Sequence, residues 1–237
     1  MSNFPPNISI RPLTIEDINQ CIALENKGFS ESERCSPEKF QYRLTVCPEL
    51  CSGIFIRDYE YKYNAINLPE VAEKLDQEQK SKIANDDVTQ NNEDEEEENL
   101  DELPSKSSYT KETLIGHIIA TKIPSQRITD GAMEIPPSTD EESTTIGHIE
   151  SSRWIGIHSL VVDPNWQGHN LGTLLMHDYV QKLSNQDLGD KIVIIAHKEL
   201  IPFYEKIGFN NLGESECKFA DTTWYDLAID LIPEEDI

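Results

Sequence analysis

The stretch that decides the fold runs from His158 to Leu175 and reads HSLVVDPNWQGHNLGTLL. It begins as a buried apolar strand, turns, and passes through a glycine-bearing loop into a segment with leucines at helical spacing. The first N–H groups of such a helix have no intrahelical acceptor, and the helix dipole is positive at that end. The sequence therefore predicts an anion site between the strand and the helix.

Sequence motifs indicate which class of anionic ligand this loop is suited to bind. The Gly-Lys-Ser/Thr ending of a Walker loop and the Gly-x-Gly-x-x-Gly dinucleotide fingerprint are both absent. The segment resembles the Gln/Arg-x-x-Gly-x-Gly/Ala pyrophosphate loop of the GCN5-related N-acetyltransferases (GNAT superfamily), with Gln167, Asn170 and Gly172 at its defining positions. Asn170 replaces the middle glycine, and asparagine tolerates a left-handed backbone well. A plain polar strand-to-helix turn is the alternative interpretation.

Two further motifs agree with this resemblance. Residues 201–209 read IPFYEKIGF and resemble the last acetyltransferase motif, whose tyrosine lies beside the coenzyme sulfur. Residues 44–53 read LTVCPELCSG and resemble the Cys-Pro-Glu-Leu segment of the arylalkylamine branch. Together the motifs resemble fungal polyamine and arylalkylamine N-acetyltransferases over about residues 8–57 and 113–232.

The resemblance implies a fold and a set of coenzyme contacts. The fold is the α/β (α+β) GNAT fold, a mixed and mostly antiparallel sheet whose parallel strands 4 and 5 splay apart, flanked by helices. The cosubstrate is acetyl-CoA. The residues expected to bind it are Leu160, Val161, Val162, Gln167, Gly168, His169, Asn170, Leu171, Gly172, Thr173, Phe203, Tyr204 and Lys206.

Local patterns predict the order of the elements as β, α, α, β, β, β, α, β, α, β, β. Thr14 and the Ser36-Pro37 pair are predicted helix starts, whereas Pro202 and Gly208 bracket a short helix. The predicted strands with assigned bounds are 8–13, 53–58, 113–122, 156–162 and 191–196.

Composition indicates one domain, residues 1–237, carrying an acidic insertion. Residues 58–112 hold 17 Asp and Glu against 6 Lys and Arg. Such a block cannot bury enough apolar surface to fold, so residues 68–108 are predicted to be disordered. Residues 127–151 are predicted to form a second, polar loop.

The net charge limits the classes of binding partner, and the cysteines indicate the cellular compartment. A net charge of −24 disfavours nucleic acid, and no apolar run is long enough to cross a bilayer. The N-terminus lacks a charged start and an apolar h-region, and the five cysteines are an odd number, which fits reduced thiols in a cytoplasmic protein. No set of histidines and cysteines has metal-ligand spacing. We expect a monomer that binds acetyl-CoA and a small amine.

N-acetylation requires a base, because an alkylamine with a pKa of about 10 is mostly protonated at neutral pH. His158 matches the second histidine of the vertebrate arylalkylamine relay, although the first falls at Gly156; a core histidine is the alternative. Glu33 and Glu49 are further candidates, with a solvated loop face and a turn carboxylate as their respective alternatives. By its match to the family tyrosine, Tyr204 is the candidate proton donor to the leaving thiolate; packing is the alternative.

The expected activity is direct acetyl transfer, in a ternary complex, to polyamines (spermine, spermidine, putrescine) and to arylalkylamines resembling tryptamine. Carboxylates suit an acceptor with more than one positive charge. Two other functions stay open: acetylation of protein N-termini or lysines, and a non-catalytic acyl-CoA-binding module.

Overall fold

The computed structural model describes residues 4–59, 109–137 and 145–231, so the predicted disordered insertion lies outside the described residues. Within those ranges the helices and strands follow the predicted order. They are β1 Ile8–Pro12, α1 Ile18–Gly28, α2 Pro37–Val46, β2 Ser52–Tyr59, β3 Tyr109–Ile123, β4 Trp154–Val162, α3 Leu171–Asn185, β5 Lys191–Ala196, α4 Ile201–Ile207, β6 Asn210–Glu214 and β7 Tyr225–Asp230.

The strands form one sheet in the order β1-β2-β3-β4-β5-β7-β6. β4 and β5 are parallel, as expected for strands joined by the crossover helix α3. The pairs β1–β2, β3–β4, β5–β7 and β6–β7 are antiparallel. The mixed, mostly antiparallel sheet predicted from the resemblance is therefore confirmed.

Helices cover both faces of the sheet. One apolar cluster packs Leu175 and Tyr179 of α3 against Ile118 of β3. A second cluster packs α1 and α2 against the other face, where it includes Ile119 and Val161. Since successive strand residues point to opposite faces, the neighbours Ile118 and Ile119 serve different clusters.

The predicted helix boundaries are confirmed, with one adjustment. The Ser36 hydroxyl caps α2 by accepting the Lys39 N–H at 3.3 Å, and Gly208 ends α4 with φ +113°. After Thr14 the chain first makes a 3-10 turn, and α1 begins only at Ile18. The Asp17 carboxylate accepts the Thr14 N–H at 2.9 Å, which satisfies one of the free donors at this end.

Part of the predicted polar loop, residues 127–137, has neither strand nor α-helix but contributes to the core. Ile128, Ala132 and Met133 are buried in a third cluster with Val193 and Trp224. A 3-10 turn at Gly131–Met133 turns these side chains inward. Residues 138–144 lie outside the described part.

The chain divides into two units, residues 1–56 with 112–237, and residues 57–111. In the second unit the described residues are the ends of β2 and β3, where the Arg57 guanidinium lies 4.7 Å from the centre of the Tyr109 ring. The first unit contains every site residue considered below. Among the described helices, none combines the length and the apolar character that crossing a membrane requires.

Gly28 lets the end of α1 approach β4 closely. A Cβ on Gly28 would lie 2.1 Å from Cγ2 of Val161, and since a β-branched side chain is restricted at χ1, either the valine or the helix end would have to shift. We expect Gly28→Ala to lower the free energy of unfolding by about 1–3 kcal/mol, through overpacking. Urea denaturation checks this, with the exposed Asn26→Ala on the same helix as control. Equal stability of the two variants would contradict the prediction.

Candidate active site

The candidate site begins where β4 loses its parallel neighbour. The two strands pair only from Trp154 opposite Lys191 to Ile157 opposite Ile194. Beyond that point β4 continues to Val162 on β3, whereas the last residues of β5 pair with β7. Because a strand bonded on one side presents alternate N–H and C=O groups to the other, the end of β4 offers backbone polar groups to a gap.

The loop after β4 presents further backbone donors. Gly168 and Asn170 have left-handed backbones, with φ +81° and +58°. The first helical hydrogen bond runs from the Leu174 N–H to the Asn170 carbonyl at 3.0 Å. The N–H groups of residues 171–173 consequently have no acceptor within α3, and they lie at its positive end. The predicted strand–loop–helix junction, including asparagine in the left-handed position, is confirmed.

A cavity of about 320 Å³, which we call the loop cavity, opens in front of this junction. Polar backbone lines one end and apolar side chains line the other. The lining residues are Leu160, Val162, Trp166, Gln167, Gly168, Asn170, Leu171, Gly172, Thr173, Leu200, Phe203 and Tyr204.

A second cavity, of about 60 Å³ and here called the strand cavity, lies in the gap itself. Leu160, Leu200 and Tyr204 line both cavities, so a ligand could extend from one into the other. The remaining lining residues are Phe29, Glu33, Met133, Ile157, His158, Ser159, Ile194, Ile195, Ala196, His197, Phe219 and Trp224.

Tyr204 lies at the junction of the two cavities. Its ring makes edge contacts with Phe203 and Phe209, at centroid distances of 4.9 and 5.6 Å. Burial raises the pKa of the phenol above its ordinary value, so the hydroxyl keeps its proton at neutral pH. Because the hydroxyl bonds no other described residue, it is available to donate to a ligand.

The structure brings Glu33 together with a histidine, His197, that is not among the residues predicted from the sequence. The Nε2 atom of His197 lies 2.8 Å from Oε1 of Glu33, and the imidazole stacks on Trp224 with centroids 4.3 Å apart. The Ser30 hydroxyl donates to the other Glu33 oxygen at 2.9 Å. The position of His197 directly after β5, at the edge of the gap, is the signal that could have identified it.

His158 lines the strand cavity, but both of its ring nitrogens have partners. Nε2 lies 2.7 Å from the Thr121 hydroxyl and Nδ1 lies 3.2 Å from the Met133 sulfur. Burial, and then the positive charges of Arg43 and Lys39, hold the pKa of His158 well below its ordinary value. The imidazole is therefore neutral at physiological pH.

Gly156 explains why the first histidine of the vertebrate relay is absent. A Cβ at this position would lie 2.8 Å from Cγ2 of Ile123, a fully buried residue of β3. A histidine side chain has no room there unless β3 repacks. The two-histidine relay is consequently excluded by packing as well as by residue identity.

Four predicted site residues lie outside both cavities. Glu49 is exposed, and its carbonyl accepts Lys182 of α3 at 2.7 Å. Lys182 lies about 18 Å along α3 from Asn170, at 1.5 Å per residue. The Val161 side chain packs on the opposite face with α1, and Lys206 is exposed on α4. The His169 ring lies 6.3 Å from that of Trp166 and does not line the loop cavity.

Comparison with known proteins identifies the family. The acetyltransferase (GNAT) domain family matches residues 74–231, which is more than half of the chain. The chain belongs to the GNAT acetyltransferase domain family. In the described ranges of this GNAT domain, no group of three His, Cys, Asp or Glu side chains could hold a metal ion.

Individual relatives are distant. Serotonin N-acetyltransferase of Mesocricetus auratus is 29% identical over 91 residues, 38% of this chain and 44% of that protein. Glucosamine 6-phosphate N-acetyltransferase of Trypanosoma brucei brucei is 32% identical over 96 residues, 38% of this chain and 59% of that protein. The chain therefore spans about half the length of these curated relatives.

Among solved structures, the loading GNATL domain of CurA from Lyngbya majuscula superposes with a TM-score of 0.56 at 13% identity. The superposition covers 94% of this chain and 98% of that one. At this identity the likeness supports the fold alone.

The lowered pKa of His158 predicts a specific pH dependence of stability. In the unfolded chain the histidine gains a proton below about pH 6.5, whereas the folded protein resists protonation until a lower pH. The unfolded state then binds more protons, so stability falls on acidification by at most about 1.4 kcal/mol per pH unit. We expect the wild type to lose more stability than His158→Gln between pH 7 and pH 5, as measured by urea denaturation. Parallel pH curves for the two proteins would contradict this.

Proposed function

We propose that this GNAT domain is an N-acetyltransferase that transfers the acetyl group of acetyl-CoA to the primary amine of a small molecule. The observation that carries the proposal is the composition of the strand cavity. A carboxylate–imidazole pair, Glu33–His197, and the free hydroxyl of Tyr204 line one cavity where β4 and β5 part. These groups supply a proton acceptor and a proton donor within the same site.

The loop cavity fits acetyl-CoA. The backbone N–H groups of residues 171–173 suit a pyrophosphate, and the left-handed backbones at Gly168 and Asn170 shape the loop that approaches it. A Cβ on Gly172 would already contact the Phe203 ring at 3.5 Å, so a larger side chain would narrow the entrance. The unpaired edge of β4 can bond the amides of the coenzyme arm. When bound, the coenzyme supplies the activated acetyl thioester.

The Glu33–His197 pair is the proposed base. A carboxylate can only accept hydrogen bonds, so Nε2 of His197 carries the hydrogen and Nδ1 keeps the lone pair. Proton uptake at Nδ1 creates an imidazolium that Glu33 stabilises by charge. The pair can thus remove the proton that a protonated amine must lose before it attacks. His158 is less suited, because its two nitrogens already contact Thr121 and Met133.

Tyr204 is the proposed proton donor to the departing thiolate. Its raised pKa makes the phenol a weak acid, so its main effect is a hydrogen bond to the developing charge on sulfur. Backbone groups of β4 near Leu160 are the proposed donors to the carbonyl oxygen during attack.

Polyamines and arylalkylamines are the proposed acceptors. Phe29, Phe219 and Trp224 give the strand cavity aromatic walls for an alkyl chain or an aryl ring. The turn Glu31–Glu33 contacts the turn Phe219–Asp221, and Glu33 gives the cavity a carboxylate that could hold an ammonium group.

Release of free thiol from acetyl-CoA tests the proposed function. We expect the purified protein at pH 8 to release thiol with spermine, putrescine or tryptamine as acceptor. Acetylation of a basic histone-like peptide alone would instead indicate a protein acetyltransferase. No release with any acceptor, together with a melting temperature raised by acetyl-CoA, would indicate a binding module and overturn the proposal.

Replacement of His197 tests the assigned base. His197→Gln keeps a hydrogen-bonding side chain but removes the basic nitrogen, so kcat for the amine should fall by about 10²-fold or more at neutral pH. The KM for acetyl-CoA should change little, because His197 does not line the loop cavity. His177→Gln, on the exposed face of α3, is the matched control. A wild-type kcat in His197→Gln would exclude this histidine as the base.

A further inference from the structure

A buried carboxylate connects the elements that form the strand cavity. Glu25 of α1 is 2% exposed. Its Oε1 accepts the Cys35 N–H at 2.9 Å. Its Oε2 accepts the Ser159 hydroxyl at 2.7 Å and lies 3.1 Å from Nε2 of His117. The Glu25 side chain of α1 thereby contacts three parts of the chain, which are β3, β4 and the segment that precedes α2.

Two of these contacts adjoin the proposed chemistry. Cys35 follows Glu33 by two residues and fixes the end of the short segment that carries it. Ser159 lines the strand cavity between His158 and Leu160, at the point where β4 has lost its neighbour. The Glu25 carboxylate therefore ties the chain bearing the proposed base to the strand edge beside which it must act.

Packing of the core alone does not require a hydrogen-bonded carboxylate at the position of Glu25. A buried charge is expensive unless hydrogen bonds satisfy it, and an apolar residue of similar volume would often give equal or better stability. The basic side chain that contacts Glu25 is His117, whereas Arg43 donates to the Cys35 sulfur at 3.4 Å and to the Met133 carbonyl at 3.1 Å. Arg43 thus holds the same segment from the other side. The Glu25 carboxylate and the Arg43 guanidinium thus both bond Cys35, the first at its N–H and the second at its sulfur.

The geometry points to Glu25 as a positioning residue of the transfer reaction, which fixes the 29–36 segment on β4 so that Glu33 meets His197. This inference rests on the proposed function. Glu25 lines neither cavity, and so it acts through Glu33 rather than on the substrate.

Glu25→Gln has nearly the same shape but lacks the second carboxylate oxygen, so with its carbonyl oxygen on the Cys35 N–H it can no longer accept the Ser159 hydroxyl, which must turn away. We expect kcat/KM for the amine to fall by about tenfold to a hundredfold, as small misplacements of reacting groups do. The KM for acetyl-CoA should stay within about twofold, because the loop cavity is formed elsewhere. Glu16→Gln, an exposed carboxylate just before α1, is the control.

A double-mutant cycle separates positioning from general destabilisation. If Glu25 acts through Glu33, Glu25→Gln should have little further effect in a Glu33→Gln background. Losses that multiply in the double mutant, or an equal rise in the KM for acetyl-CoA, would overturn the inference. Glu25→Asp keeps the charge but shortens the reach, and we expect a similar loss. Wild-type turnover in Glu25→Asp would assign Glu25 a charge-compensating role instead.

Two further measurements cover the remaining cases. If the Glu25 variants do not fold, Ser159→Ala removes one of the three contacts of Glu25. We expect kcat/KM for the amine to fall threefold to tenfold in Ser159→Ala, and this loss should be absent in the Glu33→Gln background. Unchanged turnover in Ser159→Ala would overturn the inference.

If the wild type acetylates no amine, the proposed function fails, and the positions of the His197 ring resonances, measured by NMR, test the geometry alone. Glu25→Gln and Glu33→Gln should then shift them alike, and unmoved resonances in Glu25→Gln would contradict the positioning role.

Discussion

The structure depends on one constraint, the unmet hydrogen bonding of β4 beyond Ile157. A strand inside a sheet normally bonds a neighbour on each side, and buried backbone groups without partners are strongly disfavoured. β4 keeps β3 on one side to its last residues but loses β5 on the other. Its free edge and the free N–H groups at the start of α3, which the loop of residues 163–170 connects, leave donors and acceptors that a ligand can satisfy.

The other half of the site comes from the N-terminal helices. The 29–36 segment between α1 and α2 faces the free edge of β4, and ion pairs join the same elements, as in the Lys27–Asp163 contact of 2.7 Å at the end of β4. Burial opposes ionisation of Asp163, but hydrogen bonds from Lys27 and Asn165 outweigh it and hold its pKa below the ordinary value. The loop cavity and the strand cavity are thus built along one short stretch of β4.

Local signals predicted individual strands, a helix cap and the loop before α3, but not which distant side chains meet in the strand cavity. The strand at residues 191–196, the Ser36 cap and the left-handed Asn170 all follow from neighbours in the chain. The pairing of Glu33 with His197 joins residues 164 positions apart, and that of Glu25 with Ser159 spans 134 positions. Such contacts are decided by how helices dock on the sheet, which periodicity does not encode. Glu49 lies outside both cavities for the same reason, because its motif indicates a turn but not where that turn packs against α3.

Amide hydrogen exchange with and without acetyl-CoA tests the central claim, that the free edge of β4 and the start of α3 together form the coenzyme site. We expect slower exchange at residues 158–162 and 167–174 when acetyl-CoA is bound, with little change in β1 or β6. Protection confined to other segments, or no change at a saturating coenzyme concentration, would contradict it.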